Sequence, residues 1–146
     1  MNYSAVLRML GHVLQFEAGF LLLPCIVALI YREKSGFAYL IMAAVCFLIG
    51  VCLSRIKGKS KNFFAKEGFA SVALSWIVMS LAGCMPFLIS GEIPKFIDAL
   101  FETVSGFTTT GATLFNDLES LPRSINLWRC QLHFLGGMGI VALTVA

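Results

Sequence analysis

Charge is scarce in this chain, and its scarcity decides the class. Only 13% of the 146 residues are Asp, Glu, Lys or Arg, against about 25% in ordinary soluble domains. That excludes a soluble fold. The 58% of hydrophobic residues and the mean hydropathy of +0.86 describe an integral membrane protein instead. Histidine is nearly absent, at 2 residues, and the 5 cysteines (Cys25, Cys46, Cys52, Cys84, Cys130) stand singly, with no CxxC pair. That pattern offers no zinc site, and the cysteines read as small membrane-embedded hydrophobes. The net charge of +3 is too small and too scattered to hold nucleic acid. No small-residue cleavage site follows the first apolar segment, so no signal peptide is visible. A nucleophile–base or metal motif is also missing, which sets aside a membrane enzyme built on His12, Glu17, Cys130 or His133.

What is present is a series of long apolar segments. The first runs from about Tyr3 to Tyr31, with Arg8, His12 and Gln15 on one helical face of its first half. Glu17 lies off that face. An acid inside a spanning segment is a functional candidate; the simpler reading pairs it with Arg8 or His12, or places it near an aqueous surface. Pro24 is expected to kink this helix. A tight polar connection, Arg32-Glu33-Lys34-Ser35-Gly36, follows, flanked by Tyr31 and Tyr39 as interfacial aromatics. The second segment, Phe37 to Leu53, is about long enough to span.

Five of the 11 basic residues then fall between Arg55 and Lys66. The positive-inside rule makes this loop cytoplasmic, which puts the amino terminus on the same side and the 32–36 connection outside. The third segment, Gly68 to Ile89, is 22 residues without charge, and Ser71, Ser75, Ser80 and Gly83 give it small faces for helix packing. Pro86 is expected to loosen its outer end. The fourth segment begins near Leu127 behind a cap at Ser124 or Asn126. It is still apolar at Ala146, so the chain is expected to be a fragment ending inside a helix. On this topology six of the eight acids (Glu33, Glu92, Asp98, Glu102, Asp117, Glu119) are outside. They either concentrate cations near an outer mouth or are ordinary solvated loop residues.

Between the third and fourth segments lies the stretch Ser105-Gly106-Phe107-Thr108-Thr109-Thr110-Gly111-Ala112-Thr113, which carries no charge. Irregular backbone at membrane depth is tolerated only where protein buries it or where it lines a watery cavity. Such a run can aim several carbonyl oxygens at one axis and replace the water around a dehydrated cation. The plain alternative is a polar turn between helices. The flank favours the first reading: Pro94 and Lys95 open a short helix through about Ser105. It has an apolar face (Ile97, Leu100, Phe101, Val104) opposite a polar one (Asp98, Glu102, Ser105). About eleven residues cannot span a bilayer as a helix. A short helix ending at a Gly/Thr run describes a re-entrant pore loop, its negative dipole end favouring a cation. Glu102 is expected to support the filter backbone as a hydrogen-bond acceptor, together with Ser105 and Gly106. Gly136, Gly137 and Gly139 serve helix packing, room for the filter backbone, or both.

Two longer motifs, Asp98-Ala-Leu-Phe-Glu-Thr-Val-Ser-Gly-Phe-Thr-Thr-Thr-Gly-Ala-Thr113 and Trp128-Arg-Cys-Gln131 followed by Gly136-Gly-Met-Gly-Ile140, give the chain a family resemblance. Arg32 and Lys66-Glu67-Gly68 also fit. The chain resembles the amino-terminal portion of the Trk/Ktr superfamily of potassium-uptake membrane subunits, in its TrkH/TrkG branch. The resemblance covers essentially the whole sequence. It implies an all-α integral membrane fold: two amino-terminal transmembrane helices (residues 1–62), then one helix–pore loop–helix repeat of a potassium-channel-like fold (63–146), truncated in its last helix. The family's filter strand maps onto Thr109, Thr110, Gly111 and Ala112, whose backbone carbonyls would bind potassium, with the ion at Thr110 and Gly111. The cofactor implied is the potassium ion. The partners implied are the remaining repeats of the same transporter, a second copy in a homodimer, a TrkA-like cytosolic nucleotide-binding regulatory subunit and the lipid bilayer.

The expected function is therefore potassium uptake across the bacterial cytoplasmic (inner) membrane, not enzymatic, by a multi-pass protein with its amino terminus in the cytoplasm. This chain would supply one quarter of the selectivity filter. Repeats two to four are absent, so the alternative is a non-conducting structural or interaction fragment, inactive without them.

Overall fold

The computed structural model describes residues 3–56 and 65–145, and within them five α-helices and no strand. In chain order they are α1 (Tyr3–Ile30), α2 (Gly36–Ser54), α3 (Ala65–Ser90), α4 (Phe96–Phe107) and α5 (Arg123–Val145). Lys57, Lys59 and Lys61 of the basic cluster lie outside the described residues, as does the expected boundary at 62/63.

Three of the helices are long and apolar enough to cross a membrane: α1, α2 and the Glu67–Ser90 part of α3. With large apolar side chains such as Leu29, Ile30, Phe47, Leu48 and Ile77 exposed on their outer surfaces, these helices make a multi-pass membrane protein, since water would not tolerate that surface. At 23 residues α5 is about 34 Å long. Its first turns are polar because Arg129 and Gln131 are buried against protein. Both internal prolines, Pro24 and Pro86, are carried inside their helices.

Helices α1 and α2 form a close antiparallel hairpin. A Cβ on Gly11 would stand 2.7 Å from the Gly50 carbonyl, and one on Gly50 2.8 Å from the Gly11 carbonyl, so the backbones touch. The polar face read from the sequence serves this packing. Arg8 donates to the Ile56 carbonyl past the end of α2 at 2.9 Å, and Gln15 donates to the Ser54 hydroxyl at 3.0 Å. All five helices then share one core, in which Leu14, Leu21, Tyr39, Cys46, Phe87, Phe107, Trp128 and Leu132 are buried.

Three expectations are corrected here. Tyr39 is not interfacial: it is fully buried, and its hydroxyl donates to the Ser124 carbonyl at 3.4 Å. Helix α5 begins at Arg123 rather than near Leu127, and neither Ser124 nor Asn126 caps it. Glu17 pairs with neither Arg8 nor His12 and is nowhere near water. It is fully buried, and its carboxylate oxygens have no hydrogen-bond partner among the described residues.

Candidate functional site

Helix α4 is inverted relative to a soluble amphipathic helix. Its apolar face is open, with Ile97 76% exposed and Phe101 and Val104 also out, whereas Glu102 on the polar face is 3% exposed. The polar face is buried because it holds the irregular segment 108–114 that follows, a single strand of backbone that joins no sheet. Glu102 accepts from the Thr113 hydroxyl at 2.9 Å through Oε1 and from the Leu114 N–H at 3.0 Å through Oε2. The Ser105 hydroxyl donates to the Ala112 carbonyl at 2.6 Å. At Gly106 a Cβ would lie 2.8 Å from Leu132 Cβ, so this glycine lets α4 approach α5.

The strand turns at two left-handed residues, Thr109 (φ 56) and Gly111 (φ 78). Glycine takes that conformation without strain, whereas a β-branched residue such as threonine does not. The N–H groups of residues 108–111 all point back into the end of α4. Thr108 donates to Val104 O at 2.9 Å, Thr109 to Gly106 O at 2.9 Å, Thr110 to Ser105 O at 3.0 Å and Gly111 to Ser105 O at 3.5 Å. The Thr108 and Thr110 hydroxyls lie 2.8 Å apart. The carbonyls of Thr109, Thr110 and Gly111 accept no hydrogen bond among the described residues, and the strand is exposed. Three successive backbone acceptors are thus left free at the carboxyl end of a helix, where the dipole is negative.

Helix α5 completes the frame. Arg129 donates through Nε to Glu102 Oε1 at 2.6 Å and through Nη2 to the Thr113 hydroxyl at 3.1 Å, with its guanidinium over the Phe115 ring at 5.4 Å. Gly136 lets α5 pass directly under the start of the strand: a Cβ there would sit 1.9 Å from the Phe107 carbonyl. Gly137 faces Thr109 Cγ2 at 3.8 Å and Gly139 faces Trp76 at 3.4 Å, so one glycine group serves both helix packing and the strand. Sequence reasoning singled out Glu102 but not its partner. The available signal was a lone arginine in an apolar segment, which needs a buried acid nearby.

The amino end of α5 is held by a residue from the far side of the chain. Pro122 accepts the first helical bond, from Asn126 N–H at 3.0 Å, but offers no side-chain acceptor. Glu33 fills the role instead. It accepts from Arg123 N–H at 2.7 Å, from Ser124 N–H at 3.1 Å and from the Ser124 hydroxyl. Burial pushes the Glu33 carboxyl up, but the hydrogen bonds from Ser124, Arg123 and Ser35 outweigh that, and the net direction is down from 4.5. Two of the six acids assigned to the outer side, Glu33 and Glu102, are therefore engaged in holding helices and strand.

Membrane-length helices, a short helix with a buried polar face and an irregular uncharged strand held by that face define a multi-pass α-helical membrane protein. The family model of TrkH cation transport proteins matches residues 35–146. The chain belongs to the TrkH family. It is 41% identical over 147 residues to the Trk system potassium uptake protein TrkG of Escherichia coli (strain K12), covering 99% of this chain and 30% of the relative. It is 41% identical over 152 residues to the Trk system potassium uptake protein TrkH of Salmonella typhimurium, covering 100% of this chain and 31% of the relative. The crystal structure of the potassium transporter TrkH from Vibrio parahaemolyticus superposes with a TM-score of 0.91 at 34% identity, over 99% of this chain and 31% of that one. The chain thus spans about a third of the length of the relatives it matches, 30% to 31%.

Proposed function

We propose that this chain serves potassium uptake across the bacterial cytoplasmic membrane, as the amino-terminal part of a four-repeat transporter, and supplies one quarter of its selectivity filter. The observation that carries this reading is the row of carbonyls at Thr109, Thr110 and Gly111 that accept no hydrogen bond among the described residues, on an exposed strand where the N–H groups of these same three residues are all used. Carbonyl dipoles of this kind replace the hydration shell of a cation. The Ala112 carbonyl, which accepts from Ser105, keeps a second lone pair for the ion. Potassium sits at Thr110 and Gly111, with Glu102, Ser105 and Gly106 holding the strand. The names of the relatives, which are potassium uptake proteins, support potassium as the ion.

Residues 1–62 form an added two-helix unit and 63–146 the first helix–pore loop–helix repeat. The open cleft of about 360 Å³ beside the strand, lined by Ile97, Leu100, Phe101 and Val104, receives the neighbouring repeat. In the complete protein we place a second copy and a TrkA-like regulatory subunit beside this chain, as the resemblance implies, and the amino terminus in the cytoplasm, as the basic residues between Arg55 and Lys66 imply. Residues 1–146 alone, with a single filter strand, form a non-conducting fragment.

The test uses a chimera in which residues 1–146 replace the matching segment of the Escherichia coli TrkG relative, expressed in potassium-uptake-deficient cells. The expected result is rubidium uptake well above sodium uptake, with residues 1–146 alone giving none. A chimera that reaches the membrane folded and takes up neither ion would overturn the reading.

A further inference from the structure

Two helices outside the repeat reach the strand through α5, and Glu33 is the link. Helix α1 ends in a left-handed turn at Arg32 (φ 55), where Arg32 N–H reaches Leu29 O at 3.3 Å and Glu33 N–H reaches Ala28 O at 2.8 Å. That pair of bonds is a Schellman closure, and it sets Glu33 directly over the first turn of α5. The contact is broader than one side chain. Ser35 and Ser124 hydroxyls lie 2.7 Å apart, Tyr39 donates to the Ser124 carbonyl at 3.4 Å, and the Arg123 guanidinium lies 4.3 Å over the Tyr31 ring. Five residues beyond Ser124 along α5, about 7.5 Å down its axis, Arg129 makes its bond to Glu102. Trp128, packed edge-on against Tyr39 at 6.3 Å, donates to the Gly83 carbonyl of α3 at 3.0 Å. Arg129 therefore lies in the part of α5 that Glu33 at its start and Trp128 beside it hold against the other helices.

We propose that Glu33 is a positioning residue for the filter strand. By capping α5 from the α1–α2 connection, it fixes the height at which Arg129 meets Glu102 and Thr113. The two amino-terminal helices then act as a specificity element of the pore rather than as a peripheral anchor. The strand contact itself needs no transport to be observed; only the effect on selectivity rests on the potassium reading above.

The experiment uses the chimera with residues 1–146, solubilised, in three forms: parent, Glu33→Ala, and Glu33→Ala with Pro122→Asp. The last supplies a local cap to α5 without restoring the tie to α1 and α2. Amide hydrogen exchange is followed in segments 123–126 and 113–115. In Glu33→Ala both are expected to exchange faster, by about tenfold, the scale of losing one charged helix cap. Adding Pro122→Asp is expected to return 123–126 toward the parent and leave 113–115 fast. Faster exchange confined to 123–126 in Glu33→Ala, or recovery of both segments with the local cap, overturns the proposal. In cells, Glu33→Ala is expected to lower the rubidium-to-sodium uptake ratio several-fold at similar membrane protein, and Pro122→Asp not to restore it. A parent chimera lacking rubidium preference counts against the potassium reading alone, because the exchange measurement still decides the role of Glu33.

Discussion

Arg129 of α5 and Glu102 of α4 meet at 2.6 Å, Nε to Oε1, with both side chains withdrawn from solvent. The same carboxylate holds Thr113 and Leu114, so one ion pair joins two helices and the end of the strand that follows α4. Buried pairs contribute little net stability when intact, but removing one partner strands the other charge at about 3–5 kcal/mol. Arg129→Met is therefore expected to lose most folded protein. Glu102→Gln keeps one of the two acceptor oxygens but removes the counter-charge of Arg129 and sets an NH2 against a donor on one side, so it is expected to lower folded protein while retaining more rubidium selectivity than Glu102→Ala, which loses expression or selectivity. Membrane protein and rubidium-to-sodium uptake measure both. Equal, parent-like behaviour of Gln and Ala would remove the supporting role of Glu102.

Gly136 and Gly137 are adjacent and are expected to respond differently. A Cβ at Gly136 meets the Phe107 carbonyl at 1.9 Å, backbone against backbone, whereas one at Gly137 finds Thr109 Cγ2 at an ordinary 3.8 Å. Overpacking typically costs about 1–3 kcal/mol, and here neither side can yield by a rotamer change. Gly136→Ala should lower the folded fraction and Gly137→Ala should not, as read by size-exclusion of solubilised chimera. Similar profiles for the two would contradict the close approach of α5 to the end of α4.

The Glu33 cap carries a pH signature. Its carboxyl is lower in the folded protein than its usual 4.5. The stabilisation is therefore complete above that usual value and is lost as pH falls through the folded value. The difference in thermal stability between parent chimera and Glu33→Gln should be largest near about pH 6 and shrink toward about pH 3. A difference that grows on acidification would reverse the sign and remove the cap.

Topology is tested by cysteine accessibility at Ser60 and Ser120 in a background without native cysteines. The orientation proposed from the basic residues between Arg55 and Lys66 puts Ser60 in the cytoplasm and Ser120, in the connection before α5, outside. Labelling of Ser60 from outside in intact cells would overturn this orientation.

Much of this architecture was legible because bilayer length and charge are one-dimensional signals. The 22 uncharged residues from Gly68 to Ile89 gave α3 directly, and the faces of α4 were readable at helical spacing. The burial of those faces was not. A soluble helix hides its apolar side, but in α4 the polar side is inside because it must satisfy a strand with no sheet to join. The cap on α5 was hidden for a different reason. Glu33 and Ser124 are 91 positions apart, and no local pattern links a helix start to an acid in an earlier loop. Thr109 shows a third limit: its left-handed backbone contradicts its propensity, and only the surrounding bonds impose it.

Backbone carbonyls at residues 109–112 are proposed to select the ion, and the most direct test lies at Gly111. Its φ of 78 suits glycine, and beyond its chain neighbours a Cβ there would meet no atom of the described residues within 4 Å. A side chain therefore acts through the backbone, at about 1–2 kcal/mol for the left-handed conformation, and through the space that other repeats approach. Thr110→Ser leaves backbone and hydroxyl in place. The measurement is rubidium and sodium uptake by the chimera in potassium-uptake-deficient cells, normalised to membrane protein. Gly111→Ser should lower the rubidium-to-sodium ratio more than it lowers protein, with Thr110→Ser much milder. An unchanged ratio in Gly111→Ser together with a lost ratio in Thr110→Ser would contradict the carbonyl filter and place selection on side chains.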